Sequence, residues 1–414
     1  MDVGKCFEKL HRVLMDSLDS GSDTNDAEIR KMIDALILKD EDVKKLSLEE
    51  RVRLGRDLFS SVRRLDVLQE LIDDKSVTEI MVNGPHTIFI ERNGRICRSE
   101  RTFATREKLE DVIQQIAGRC NRVVNERSPI VDARLEDGSR VNAVIAPVAL
   151  NGPILTIRQF PEEAITMERL VRSGSLTEEA AVFLRTLSAA GYSMIIGGGT
   201  SAGKTTFLNA LSNYIPKEER IITIEDNAEL QIQGVPNLVR LEAKQANSEG
   251  LSEVTIRDLI KSALRMRPDR IIVGEVRSGE AIDMLQAMNT GHDGSLCTIH
   301  CNSCEDAVSR LETMSIMGYP LPLPAIRRQI ASGVDLIIHL GRLKDRTMRV
   351  LEISETDGMS GGELVLRKLF EWDDEAGTLR KLRELKNRRK LVRWQTFMEE
   401  NGSATGSISP VLQS

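Results

Sequence analysis

The sequence predicts an α/β fold: a parallel sheet carrying a phosphate-binding loop, preceded by an α+β domain and a helical N-terminal extension. Three observations carry that prediction. Residues 198–205 read Gly-Gly-Thr-Ser-Ala-Gly-Lys-Thr, between an apolar run at 192–196 and a helix-like stretch at 206–214. From 176 to about 340, short apolar runs alternate with helical segments, the signature of a parallel sheet with helices on both faces. Before residue 160 the hydrophobic period is helical at first and then changes to two near Ser76.

Residues 1–64 read as a helical extension, broken at 19–26 by a polar Gly/Ser/Asp cluster. Apolar residues recur at helical spacing over 31–38 and 48–62, and Ser47-Leu48-Glu49-Glu50 has the form of a capped start. An α+β domain over 65–160 follows. Strands are predicted at 78–84 and 87–91, with a hairpin turn at Asn93-Gly94, where both residues tolerate positive φ. A helix over 105–119 and strands at 134–135, 141–146 and 154–159 complete it. Phe160-Pro161-Glu162-Glu163 reads as a hinge opening a linker over 161–175. The α/β domain over 176–345 has further strands at 221–224, 270–273, 296–299 and 336–340. Residues 346–414 read as a hairpin region followed by a basic tail at 379–394.

At 414 residues there is length for two or three cores. Aromatics are only 3%, so those cores are built from aliphatic side chains and Met. The 57 basic and 63 acidic side chains give −6, which weighs against a surface that grips nucleic acid throughout. No run reaches the length of a membrane span and the start lacks a secretory signal, so a cytoplasmic location is expected. Cys6, Cys97, Cys120, Cys297, Cys301 and Cys304 show no disulfide framework. Cys297, His300, Cys301 and Cys304 approximate a zinc spacing, but the paired CxxC pattern is missing.

The chemistry starts at the loop. A backbone running through Gly198, Gly199, Thr200, Ser201, Ala202 and Gly203 into a helix at Lys204, Thr205 and Thr206 can wrap its N–H groups around a polyphosphate. Lys204 then reaches the β- and γ-phosphates of ATP, and the Thr205 hydroxyl binds Mg²⁺. Three constellations follow. Glu225-Asp226 ends an apolar strand, at the edge where ligands gather in open α/β sheets. Gly274-Glu275 ends another, with Gly274 where an aspartate is usual, so the Mg²⁺ role falls to Glu275. His292 and His300 bracket a Gly-rich turn and a strand, and read as γ-phosphate sensors.

In this order the four boxes resemble the secretion ATPase superfamily, which drives type II and type IV secretion and type IV pili. The likeness spans about 65–340. Residues 77–83 (VTEIMVN) and 135–142 (LEDGSRVN) are most similar to the tight-adherence pilus branch, called CpaF or TadA, with the VirB-type conjugative branch a near relative. The resemblance implies a RecA-like ATPase domain, a hexameric ring, and work on an inner-membrane platform protein, with peripheral attachment to that membrane. It implies Glu225 as the water-activating carboxylate and Glu275 as the Mg²⁺-associated one. Arg140 and Arg158 would reach the γ-phosphate, Arg134 would assist, and Arg265 matches a family arginine, with Lys261 nearby. The four-cysteine insert of some type II members is missing, and Cys297 and Cys301 look like substitutions within the His box. The basic tail would touch a platform partner or acidic lipid, or present a solvated helix face. The main rival is conjugative DNA transfer; a RecA-like nucleic-acid motor is disfavoured by the scarcity of aromatics for base stacking.

Overall fold

The computed structural model describes residues 3–18, 26–63, 65–92, 94–120, 122–135, 137–160, 165–200, 202–244, 253–343 and 347–400. Ser201 of the phosphate loop, the polar break at 19–25, Asn93, and Pro161, Glu162 and Glu163 of the expected hinge lie outside the described residues. The chain divides into two compact units, Met1–Glu162 and Glu163–Ser414.

The first unit opens with α1 (Val3–Leu18), α2 (Asp26–Lys39), α3 (Leu48–Arg63) and the short α4 (Leu68–Asp73). Cys6, Leu10 and Leu14, then Ile29 and Ile33, then Leu54 and Leu58, recur every fourth residue and meet in one small core. The start of α3 is a reciprocal capping box. The Ser47 N–H donates to Glu50 Oε2 at 2.7 Å, and the Glu50 N–H donates to Ser47 Oγ at 3.2 Å. Beyond it lie β1 (Val77–Asn83), β2 (Ile88–Arg92), β3 (Arg95–Arg98), α5 (Arg106–Arg119), β4 (Ile130–Arg134), β5 (Arg140–Val144) and β6 (Ile154–Arg158). Among the described residues these strands form one antiparallel sheet, order β3-β2-β1-β6-β5-β4. Leu109, Val112, Ile113 and Ile116 of α5 share its core with Ile80, Val82 and Ile157.

The second unit begins with α6 (Met167–Arg172) and α7 (Glu178–Ala189). Met167 and Leu170 are buried in the same core as α7, so a helix occupies part of the span read as linker. Then come β7 (Met194–Gly198), α8 (Lys204–Ser212), β8 (Ile221–Glu225), β9 (Leu238–Glu242), α9 (Ile256–Ala263) and β10 (Arg270–Val276). They are followed by α10 (Ala281–Asn289), β11 (Leu296–His300), α11 (Cys304–Gly318), α12 (Leu323–Gly333) and β12 (Leu336–Arg342). Finally β13 (Met348–Ser360), β14 (Glu363–Asp373), β15 (Thr378–Lys381) and α13 (Arg389–Glu400) close the described chain. The sheet order is β15-β14-β13-β12-β7-β11-β10-β8-β9, parallel from β12 to β9 and antiparallel beyond β12. Alternate residues feed two cores: Met194 and Ile196 face one, Ile195 the other. Burial on both faces is why these strands read as unbroken apolar runs. The region after Met348 therefore extends the central sheet.

Candidate functional site

Parallel strands put all their C-terminal ends on one edge, and β7, β11 and β10 are consecutive neighbours there. Register pairs Gly198 of β7 with His300 of β11. The phosphate loop leaves β7 at that edge and turns into α8 through Gly203, whose φ of +78° suits only glycine comfortably. Among the described residues no side chain caps α8, which leaves its first N–H groups without a side-chain acceptor. The cradle is built tightly. A Cβ on Gly198 would stand 2.6 Å from the Leu340 carbonyl oxygen, and one on Gly203 would stand 2.9 Å from Met348 Sδ.

Lys204 is 7% exposed. Its Nζ donates to the Gly199 carbonyl at 3.0 Å and lies 3.3 Å from His300 Nδ1. On the other side of the imidazole, Nε2 is 2.6 Å from Glu275 Oε1. A lysine only donates and a carboxylate only accepts, so this placement selects a neutral ring with its proton on Nε2. Burial lowers the His300 pKa against the pull of Glu275, with Lys204 lowering it further, and that favours the neutral ring. Burial also lowers the Lys204 pKa, opposed by Glu275 4.0 Å away. Glu275 Oε1 is buried, with His300 Nε2 at 2.6 Å and Lys204 Nζ at 4.0 Å. An uncapped helix start, a buried lysine and a carboxylate beside it fit a Mg²⁺–triphosphate. Thr205, the second residue of α8, is part-buried beside them.

The other expected residues are distributed differently. Glu225 ends β8, which β10 and β11 separate from β7, or about 14 Å at ordinary strand spacing. Its Oε1 accepts from the N–H groups of Glu229 at 2.9 Å and Leu230 at 3.0 Å, and burial pushes its pKa up to about 7. As placed, it ties down its own turn; the carboxylate beside Lys204 is Glu275. The vacancy for an aspartate at Gly274 also has a cause, since a Cβ there would be 2.9 Å from Glu225 Cγ.

His292 precedes β11, at the sheet edge opposite the loop, with Nδ1 3.2 Å from the Ala287 carbonyl. The length of β11 separates it from His300 by about 13 Å along the strand, so of these two it is His300 that stands by the phosphates' cradle. Arg265 is likewise between the end of α9 and the start of β10, on that far edge, donating to the Lys261 carbonyl at 2.9 Å. In the first unit, register sets Arg134 opposite Arg140 and Arg140 opposite Arg158, one row of three cations across β4, β5 and β6. Like charges directly opposed cost stability unless neighbouring groups offset them, and Arg134 donates to the Gly138 carbonyl at 3.2 Å.

The cysteines of the His box are packing groups. Cys301 Sγ fills the space over Gly197, where a Cβ would come within 2.1 Å of it, and Cys297 is fully buried with its pKa pushed up to about 12. Among the described residues no group of three or more His, Cys, Asp or Glu side chains is arranged to hold a metal. Arg277, unmarked in the sequence reading, grips Glu275. Its position two residues on, hence on the same side of the strand, was the available signal. Among the described residues no helix is long and apolar enough to cross a membrane.

Comparison with known proteins places the chain in a family. The model of the family described as type II/IV secretion system protein matches residues 62–389. The chain is 34% identical over 316 residues to the conjugal transfer protein TrbB of Rhizobium radiobacter, covering 75% of this chain and 93% of that one. It is 31% identical over 322 residues to the type IV secretion system protein PtlH of Bordetella pertussis, covering 71% and 95%. The crystal structure of the pilus retraction motor PilT with bound ADP has a TM-score of 0.52 at 20% identity, over 82% of this chain and 90% of that one, a likeness of fold. The chain thus belongs to the type II/IV secretion system protein family, within the secretion ATPase superfamily, and its enzymatic class is that of an ATP hydrolase.

Proposed function

We propose that this chain couples ATP hydrolysis to the movement of cargo through a membrane secretion apparatus. The observation that carries the reading is the meeting of Lys204, His300 and Glu275 beside the uncapped start of α8. The N–H groups of residues 202–206 and the Lys204 ammonium bind the triphosphate, spreading its charge over fixed donors. The Glu275 carboxylate, beside Lys204 and His300, orients the attacking water. Mg²⁺, held by Thr205 and Glu275, would offset the charge that builds on the phosphates. Glu225 supports this from behind by fixing the turn after β8. On the first unit, Arg140 and Arg158, with Arg134 beside them, form a row of cations whose charge suits a polyphosphate. Arrayed cations of this kind contribute about 10³–10⁵ in rate in other phosphoryl-transfer enzymes.

Six copies in a ring, acting from the cytoplasmic side on an inner-membrane platform that adds or removes pilin subunits, complete the reading; family membership and the likeness to the tight-adherence branch support it. A second reading has a specific ground. TrbB is a conjugal transfer protein by name, so DNA transfer is a competing cargo class with the same catalytic machinery. Disrupting the gene separates them: loss of surface pili or secreted protein supports the first, and loss of plasmid transfer alone supports the second. For the site, Lys204→Ala should abolish ATP binding. Glu275→Gln should still bind ATP and lose on the order of 10²-fold or more in turnover. Wild-type turnover in either variant would overturn the assignment.

A further inference from the structure

We propose that Arg277 is a positioning residue for ATP hydrolysis, a fork that fixes one oxygen of Glu275 and yokes it to the acidic turn after β8. The inference rests on the ATP-hydrolase reading of this site. Glu275 and Arg277 flank the last residue of β10, Val276, so both project to the same side. Arg277 Nε and Nη2 both donate to Glu275 Oε2, at 2.7 and 2.5 Å, while Nη1 lies 3.4 Å from Asp226 Oδ2. One planar guanidinium thus joins the carboxylates at the ends of two neighbouring strands, β10 and β8.

An exposed arginine pair usually contributes little, because water competes and the side chains are free to move. Here the base of the side chain is held. Glu280 Oε1 accepts from the Arg277 N–H at 2.6 Å and the Ser278 N–H at 2.9 Å. Behind it Gly279 lies so close to Gly318, at the end of α11, that a Cβ on Gly279 would stand 2.6 Å from the Gly318 Cα. The acceptor is not open to competition either, since the Glu275 side chain is 17% exposed. With Oε2 taken twice, the carboxylate cannot rotate, and Oε1 stays turned toward His300 and Lys204. A lysine at 277 has one ammonium and cannot hold both carboxylates with the same fork.

The test is steady-state ATP turnover by the full chain with Mg²⁺, for wild type, Arg277→Gln, Glu275→Gln and the double variant. Binding of a fluorescent ATP analogue and thermal unfolding confirm that each is folded. Arg277→Gln should lower kcat by roughly 10- to 100-fold and leave KM within about twofold, the pattern of a misplaced group. In the Glu275→Gln background the same change should cost less than about twofold, because there is no longer a carboxylate to position. Turnover of Arg277→Gln within twofold of wild type, or a full extra loss in the double variant, overturns the proposal. If Arg277→Gln does not fold, Asp226→Asn breaks only the yoke. It should lower kcat by about two- to fivefold, and this loss should vanish beside Glu275→Gln; an additive loss there overturns the proposal equally. A wild-type chain without any ATP turnover would sink the hydrolase reading itself, whereas an active wild type with an indifferent Arg277→Gln sinks only the role given to Arg277.

Discussion

Gly274 shows how a single absent side chain sets the character of the site. The side chain of Glu225, on the adjacent strand, occupies the space where a Cβ would go. Gly274→Ala should therefore displace Glu225 and reduce stability by about 1–3 kcal/mol, read from urea unfolding, with ATP turnover falling alongside. Glu225 itself imposes a pH dependence. Burial raises its pKa from the ordinary 4.5 to about 7, so the folded chain holds that proton more tightly than the unfolded chain does. Its contribution to stability is complete below pH 4.5 and is lost as pH rises through 7. Glu225→Gln should flatten the stability profile between those two pH values; an unchanged slope would show that other groups set it. The phosphate loop, Glu275 and His300 were all legible as residues, because their spacing within each box is local. Arg277 was not singled out: its spacing puts it on the same side of the strand as Glu275, but the oxygen it grips is set by side-chain geometry.

At the level of elements, the strands buried on both faces were the most legible, β7, β8, β10, β11 and β12 all appearing as apolar runs. β9 escaped because Leu238–Glu242 alternates and is only partly buried, which leaves no continuous run. The short α6 was hidden in what read as linker, its two buried residues too few to show a period. Strand direction accounts for the two histidines. A box that brackets a strand has its ends on opposite sheet edges, so His292 and His300 were bound to part. Helix ends also meet the site's supports. A Cβ on Gly318 would come within 2.0 Å of the Gly279 carbonyl oxygen. Gly318→Ala should therefore push the turn after β10 away from α11, costing about 1–3 kcal/mol in denaturant unfolding. Basic residues of the tail behave as structural cations: Lys390 Nζ lies 2.7 Å from both Asp293 and Asp335, and Lys386 Nζ lies 2.5 Å from Asp357. Lys390→Ala leaves Asp335, nearly buried, with one partner fewer, and should lower the melting temperature by several degrees.

For the molecule as a whole, two units with separate cores should behave as two folding bodies. Calorimetry is expected to resolve more than one transition, and residues 165–400 expressed alone should retain a cooperative one. A single transition that disappears when the chain is divided would contradict this. The closure of the second unit has a further consequence, for synthesis. Tyr192, fully buried next to the strand that feeds the phosphate loop, donates its hydroxyl to the Asn387 carbonyl 195 residues later, and accepts from the Leu391 N–H. At about 5–20 residues per second, a ribosome needs roughly 10–40 seconds to make that stretch. During that interval the first unit is already able to fold, while the nascent ATPase sheet lacks the segment that seals its edge and is the part of the newborn chain most in need of a chaperone.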